Sequence, residues 1–259
     1  MRKECEGFPM SQRSFSIVVP AFNEERTLPG LLKSLACQTR SADEIIVVDN
    51  NSTDATAHVA TMAGCRVVHC AEQGISAARN AGARAAASTH ICFLDADSEV
   101  TPGWLAAGEK KLACGRFGAV SGWNRFREKN PWLFIYYNSF NFYFTIFLVF
   151  WNVIRGGMVA ANNLIIDREV FFRAGGYKNF LGEDFRLGVI LSQQKVRTGF
   201  APGMHASYSA RRFRQEGFLP TVVLWLRSTR TQYPYARYTR DYSKAERIDK
   251  NGTGSGMSR

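Results

Sequence analysis

Two short β-branched runs, FSIVVP from Phe15 to Pro20 and EIIVVD from Glu44 to Asp49, are each closed by turn-forming residues and bracket a single helical stripe. Leu28, Leu31, Leu32 and Leu35 recur at i, i+3, i+4 and i+7, one apolar face able to cover a sheet. Strands buried on both faces read as continuous apolar runs, so this order predicts a βαβ unit with parallel strands. The alternation continues. Ser52 or Thr53 is expected to cap a helix through Ala63, followed by a strand from Arg66 to His69, an alanine-rich helix from Ile75 to Ala87 and a strand from Ile91 to Leu94. The fold class is therefore α/β, with a Rossmann-like, open, mostly parallel sheet flanked by helices. Ligands of such sheets lie beyond the carboxyl ends of the strands, where Asn23, Glu24, Asp49, Asp95 and Asp97 all fall.

After Pro102 the alternation weakens into a helix to about Cys114, a strand from Ala119 to Phe126, and an uncharged aromatic stretch from Asn130 to Ile154. At 1.5 Å per residue the stretch is long enough to cross roughly 30 Å of hydrocarbon. It also carries Asn138, Asn141, Thr145 and Asn152 at helical spacing beside a broad aromatic face. That pattern fits a helix over 131–154 lying in a membrane interface, although a core helix packed on the sheet would read much the same. Beyond it come a strand from Asn163 to Asp167, a short helix from Arg168 to Ala174 stopped by Gly175 and Gly176, and a helix opened by Gly182, Glu183 and Asp184.

Composition limits the partners. The 259 residues are 46% apolar and 13% aromatic with a net charge of +11, which excludes an acidic solvating protein or a wholly disordered chain and points to anionic partners or lipid. From Lys195 onward there are thirteen Lys and Arg against four Asp and Glu, so most of the excess charge lies in the last quarter. A basic helical extension is expected over 219–250 and a disordered tail over 251–259. The six cysteines show no metal-ligand spacing with the four histidines, and no secretory signal pattern opens the chain. A reduced, cytoplasmic setting is the simplest expectation.

Asp95 and Asp97 follow the apolar run ICFL and precede a polar turn. Two carboxylates so placed can hold a hard divalent cation that in turn holds a diphosphate, whereas an isolated Asp-x-Asp is as readily a solvated turn. Further motifs accompany this pair: PAFNE at Pro20 to Glu24, VVDNNSTD at Val47 to Asp54, GISAARNAG at Gly74 to Gly82, GGMVAANN from Gly156, and GED at Gly182 to Asp184. Together they resemble the family 2 glycosyltransferases with a GT-A fold, over residues 14–218.

The resemblance implies a site. Pro20, Ala21, Asn23 and Glu24 match the loop lining the nucleotide pocket, and Asp49 matches an aspartate contacting base or ribose. Here the family's common Asp-Asp reads Asp49-Asn50. Arg79 would meet a phosphate or stack beneath a base. Asp95 and Asp97 would bind Mg²⁺ or Mn²⁺, Asp95 also facing the donor. Asp184 would be the catalytic base that deprotonates the acceptor hydroxyl, with Glu183 orienting the site or binding the acceptor. A single displacement with one base inverts the anomeric centre. Arg211 and Arg212, in ARRFRQEG, resemble a loop that clamps the diphosphate, and the motif of processive polysaccharide synthases is absent there. His205 is expected to serve an ordinary surface or core role rather than ligate metal.

The expected enzyme moves one sugar from a UDP- or GDP-linked donor to an acceptor that is lipid-linked or a saccharide. It would work in peripheral contact with an anionic membrane on the inner face of the cell membrane, without nucleic acid as partner. The competing expectation is a non-catalytic basic module that binds nucleotide or nucleic acid. No recognition helix or RNP-like strand supports that alternative.

Overall fold

A computed structural model of the chain describes residues 13–154, 159–179, 182–211, and 214, 217, 218, 220, 221 and 223, with the side chains of 148 and 151–154 excepted. The expected α/β alternation is present. Strands β1 (Phe15–Ala21), β2 (Glu44–Asp49), β3 (Arg66–His69) and β4 (His90–Leu94) alternate with helices α1 (Leu28–Ala36), α2 (Thr56–Met62) and α3 (Ile75–Ala85). The chain continues with β5 (Glu99–Val100), α4 (Trp104–Leu112), β6 (Ala119–Arg127), α5 (Pro131–Ile154), β7 (Asn163–Asp167), α6 (Arg168–Arg173), α7 (Glu183–Gln193) and β8 (Thr198–Ser209).

All eight strands form one sheet in the order β3-β2-β1-β4-β7-β6-β8-β5. The pairs β2–β3, β1–β2 and β1–β4 are parallel, as the apolar runs predict. Past β4 the sheet becomes mixed: β7 runs antiparallel to both β4 and β6, while β6 and β8 are parallel. Strand β8 and the two-residue β5 carry no continuous apolar run, and β8 is interrupted by Gly199, Pro202 and Gly203, which explains why neither is evident in the sequence.

Each face of the sheet is covered. On one, Leu28, Leu31, Leu32 and Leu35 of α1 pack against Ile17, Val19 and Leu94 in a core that includes Trp104 and Leu105 of α4. Burying each leucine contributes about 1.5–3 kcal/mol. On the other, α3 lays Ala77, Ala78 and Ala83 against Val18, Val48 and Phe93. Gly82 allows this close approach, because a Cβ there would overlap the side chains of Val18 and Val48. The alanine-rich composition of α3 is thus a packing requirement.

One local expectation needs correction. Helix α2 begins at Thr56, and its first turn is served by Asp54, whose Oδ1 accepts from Thr56 N at 3.0 Å. Ser52, expected as the cap, instead accepts from Asn23 N at 3.1 Å and ties two loops together. Asn163 is fully buried and structural: its Oδ1 accepts from Trp104 Nε1 at 2.7 Å, and its Nδ2 donates to Trp123 O at 3.1 Å. The five described cysteines are unpaired.

Helix α5 is continuous over 24 residues, and no helix among the described residues is long and apolar enough to cross a membrane. Asn138, Asn141 and Thr145 face the protein. Asn138 Oδ1 accepts from Phe126 N at 2.9 Å while its Nδ2 donates to Phe126 O at 3.1 Å, and Asn141 Nδ2 donates to Asn124 O. Thr145 is buried and donates to Asn141 O at 2.8 Å. Asn152, Gly156 and Gly157, the tail 251–259 and all of 219–250 save Pro220, Thr221 and Val223 lie outside the side chains or residues described.

Candidate active site

The carboxyl ends of β1, β2 and β4 bring the expected loops to one edge of the sheet. Pro20 and Ala21 are the last residues of β1, buried and paired with Val48 and Asp49. Asn23 has φ of 56°, a left-handed conformation that asparagine tolerates, and its Oδ1 accepts from Thr53 N at 2.8 Å. Glu24 continues the loop, its N–H donating to Thr56 Oγ1 at 2.8 Å. Its carboxylate accepts from Thr27 Oγ1 on one oxygen and from Arg211 Nη2, at 2.7 Å, on the other.

At the end of β2, Asp49 Oδ1 accepts from Ser52 N at 3.2 Å, and Oδ2 lies 3.1 Å from His69 Nδ1. Asn50 has a structural explanation. Its amide nitrogen donates to Cys70 O at 2.8 Å and Glu72 O at 2.7 Å, and its Oδ1 accepts from Gly74 N at 2.8 Å. An aspartate could accept from Gly74 but could not donate to two carbonyls, so this departure from Asp-Asp organises the loop that leads into α3.

Arg79, in the second turn of α3, lies elsewhere than a free phosphate-binding cation would. It is 2% exposed, its Nη2 donates to Asp95 Oδ1 at 2.7 Å, and its Nη1 donates to Glu183 Oε1 at 2.5 Å. The guanidinium also sits 5.4 Å from the centroid of the Tyr177 ring. Burial alone would push its proton off, but the Asp95 and Glu183 carboxylates more than offset this and hold it charged. One buried cation thus joins the strand-end Asp95 to Glu183 at the first residue of α7.

Around this cation the remaining acids gather. Burial, with the Asp95 and Glu24 charges, pushes Asp97 up to about 7. Asp97 O accepts from Arg127 Nη2 at 2.6 Å, and Arg127 also pairs with Glu99. Asp184 is pushed up to about 6 by burial and then by its neighbour Glu183, even though its Oδ1 accepts from Phe185 N at 2.7 Å. Two tyrosines, the buried Tyr177 and the half-buried Tyr208, escape a reading for acids and motifs. Tyr177 feels the Arg79, Asp184, Glu183 and Asp95 charges, and Tyr208 those of Asp95 and Asp97, while burial raises both phenols.

The structure therefore brings Glu24, Asp95, Asp97, Glu183, Asp184 and Arg211 into one electrostatically connected cluster. Arg212 lies outside the described residues. His205 is exposed on β8, and no group of three or more metal-ligating side chains occurs among the described residues. The fit to a divalent ion rests on Asp97, since a carboxylate held up to about 7 by burial and two like charges is one that a cation would relieve. Phosphate oxygens would have to complete such an ion's coordination.

A sheet parallel through β4 and mixed beyond it, with strand-end aspartates and an acid at the start of a later helix, has the GT-A architecture seen in solved glycosyltransferases. The mannosyltransferase PcManGT from Pyrobaculum calidifontis, solved with GDP-Man and Mn²⁺, superposes with a TM-score of 0.62 at 22% identity, over 80% of this chain and 60% of that one. Staphylococcus aureus TarS in complex with UDP-GlcNAc superposes at 0.58 and 16% identity, over 76% of this chain and 59% of that one. The model for glycosyl transferase family 2 matches residues 16–172, and the chain belongs to that family. Glycosyltransferase YibD of Escherichia coli is 34% identical over 97 residues, 36% of this chain, and the matched part is 28% of YibD's length. The family assignment disfavours the competing non-catalytic module.

Proposed function

We propose that this glycosyltransferase transfers a single sugar from a nucleoside diphosphate donor, with inversion, to a hydroxyl or phosphate on a lipid-linked acceptor, and that it works at the inner face of the cell membrane. The observation that supports this reading is the Asp95–Arg79–Glu183 bridge, since Glu183 is the chain neighbour of Asp184. Asp184, with its pKa near 6, is poised to accept the acceptor's proton at neutral pH as the acceptor oxygen attacks the anomeric carbon. A single base and direct displacement invert the configuration.

Asp95 and Asp97 would hold Mg²⁺ or Mn²⁺, which when bound neutralises charge on the departing diphosphate. Arg211 would exchange its contact with Glu24 for the donor's phosphate oxygens, leaving Glu24 to accept hydrogen bonds from ribose or base. Glu183 orients the site through Arg79. Relatives of the fold solved with GDP-Man and with UDP-GlcNAc support both donor classes as candidates. The aromatic α5 and the basic last quarter support the lipid-linked acceptor. The deciding experiment is a panel of UDP- and GDP-sugars with Mn²⁺, Mg²⁺ or chelator, scored for thermal stabilisation and slow donor hydrolysis. One donor class should raise Tm in a metal-dependent way, whereas no response to any nucleotide sugar would sink the reading.

A further inference from the structure

Helix α5 is amphipathic in the reverse sense for a surface helix. Its polar residues Asn138, Asn141 and Thr145 point at β6 or lie buried, whereas Trp132, Tyr143 and Phe150 are 80%, 71% and 62% exposed. At 3.6 residues per turn, Trp132, Tyr136, Tyr143, Phe147 and Phe150 fall within roughly 60° of one another, opposite the polar stripe. All five are exposed, and no charged residue interrupts the helix. Apolar surface of this extent on one ridge marks an interaction face.

The observations favour lipid as the occupant. Tryptophan and tyrosine interleaved with phenylalanine are the side chains that settle at the boundary between headgroups and acyl chains. Charge supports the same choice. Arg125 and Lys129, both exposed, precede the helix, with the Arg125 guanidinium 4.7 Å from the Phe134 ring centroid. Phe218, a residue of the basic last quarter, packs on Tyr136 and Phe140 with ring centroids 4.9 and 4.8 Å apart. A second copy docked on this ridge would bring the same cationic flank against itself, whereas an anionic leaflet would meet it with opposite charge.

We infer that the exposed ridge of α5, from Trp132 to Phe150, is a docking surface for an anionic lipid bilayer, the helix lying parallel to the membrane with its asparagine stripe fastened to β6. This deepens the proposed function, since a lipid-linked acceptor is presented at such a surface, yet it stands on α5 and its flanking charges rather than on the transfer chemistry.

The test is flotation of the full chain with vesicles of phosphatidylcholine alone and of phosphatidylcholine with phosphatidylglycerol. The protein should float with the anionic vesicles, and added salt should weaken but not abolish this. A variant carrying Tyr143→Ser, Phe147→Ser and Phe150→Ser should bind at least tenfold more weakly with unchanged Tm, because those side chains are exposed. Arg125→Gln with Lys129→Gln is the second variant, and it should lose the preference for anionic vesicles while keeping the apolar contribution. Equal flotation of wild type and the triple variant would overturn the inference. So would absence of vesicle binding, including the case in which sedimentation shows a dimer that the triple variant dissolves. Donor-induced thermal stabilisation, read on the same preparations, separates failure here from failure of the transferase reading.

Discussion

Arg211 Nη2 lies 2.7 Å from Glu24 Oε1, joining the segment after β8 to the loop after β1 across 187 positions of sequence. Two side chains with expected roles toward the nucleotide thus hold each other in this structure. Under the proposed function Arg211 turns from a carboxylate to phosphate oxygens when a nucleoside diphosphate binds, so its removal should act on donor affinity. Arg211→Ala is expected to weaken nucleotide-sugar binding by about 10- to 100-fold, the scale of one or two charge-assisted hydrogen bonds, as calorimetry would read. Unchanged affinity would remove Arg211 from the diphosphate site.

Asp184→Asn should lower kcat by about 10² to 10⁴ while leaving donor affinity within a few-fold, because a proton acceptor is lost without charge being added near the donor. The pH profile supplies an independent check. Asp184 works as a base only when ionised, so kcat/KM of the wild type should rise with pH through about 6 and level off above it. A flat profile from pH 5 to 8 would count against Asp184.

Asp97 offers a stability test with a definite sign. Its folded pKa, about 7, lies above the ordinary value of 3.8, so between these the folded state binds more protons than the unfolded one. Stability should therefore fall as pH rises from about 4 to about 7, and the full penalty persists above 7. Asp97→Asn should raise the Tm of the metal-free protein at pH 8 by about 4 °C, while abolishing stabilisation by Mn²⁺ with nucleotide. A lowered Tm would contradict the charge repulsion assigned to this corner.

Arg79 is the most costly single residue to lose at the site. Replacing it with methionine leaves Asp95 and Glu183 facing each other without the buried cation, and breaking such a pair destabilises by about 3–5 kcal/mol. Urea denaturation should show that loss. Arg79→Lys should recover only part of it, because an ammonium cannot present a planar fork to two carboxylates at once.

The limits of legibility in the sequence follow from burial. Strands β1, β2 and β4 are evident because parallel strands covered on both faces need uninterrupted apolar runs, and their strand-end acids could be placed for the same reason. The sequence offers Arg79 as a contact for a phosphate or a base, not as a buried bridge between two acids. Its burial depends on carboxylates 16 and 104 positions away, which no local pattern encodes. Asn50 gave a signal, the missing second aspartate, but its cause is a pair of carbonyls on the following loop. In α5 the polar spacing was plain, whereas the direction it faces depended on the backbone of β6.

Gly82 carries a consequence for chemistry that takes place well away from it. By letting α3 settle onto Val18 and Val48 without an intervening methyl, it sets the height from which Arg79, one turn earlier on the same helix, extends toward Asp95 and Glu183. Adding one carbon at residue 82 would lift the helix and shorten that reach, loosening the tie between Asp95 and Glu183 while both acids remained in place.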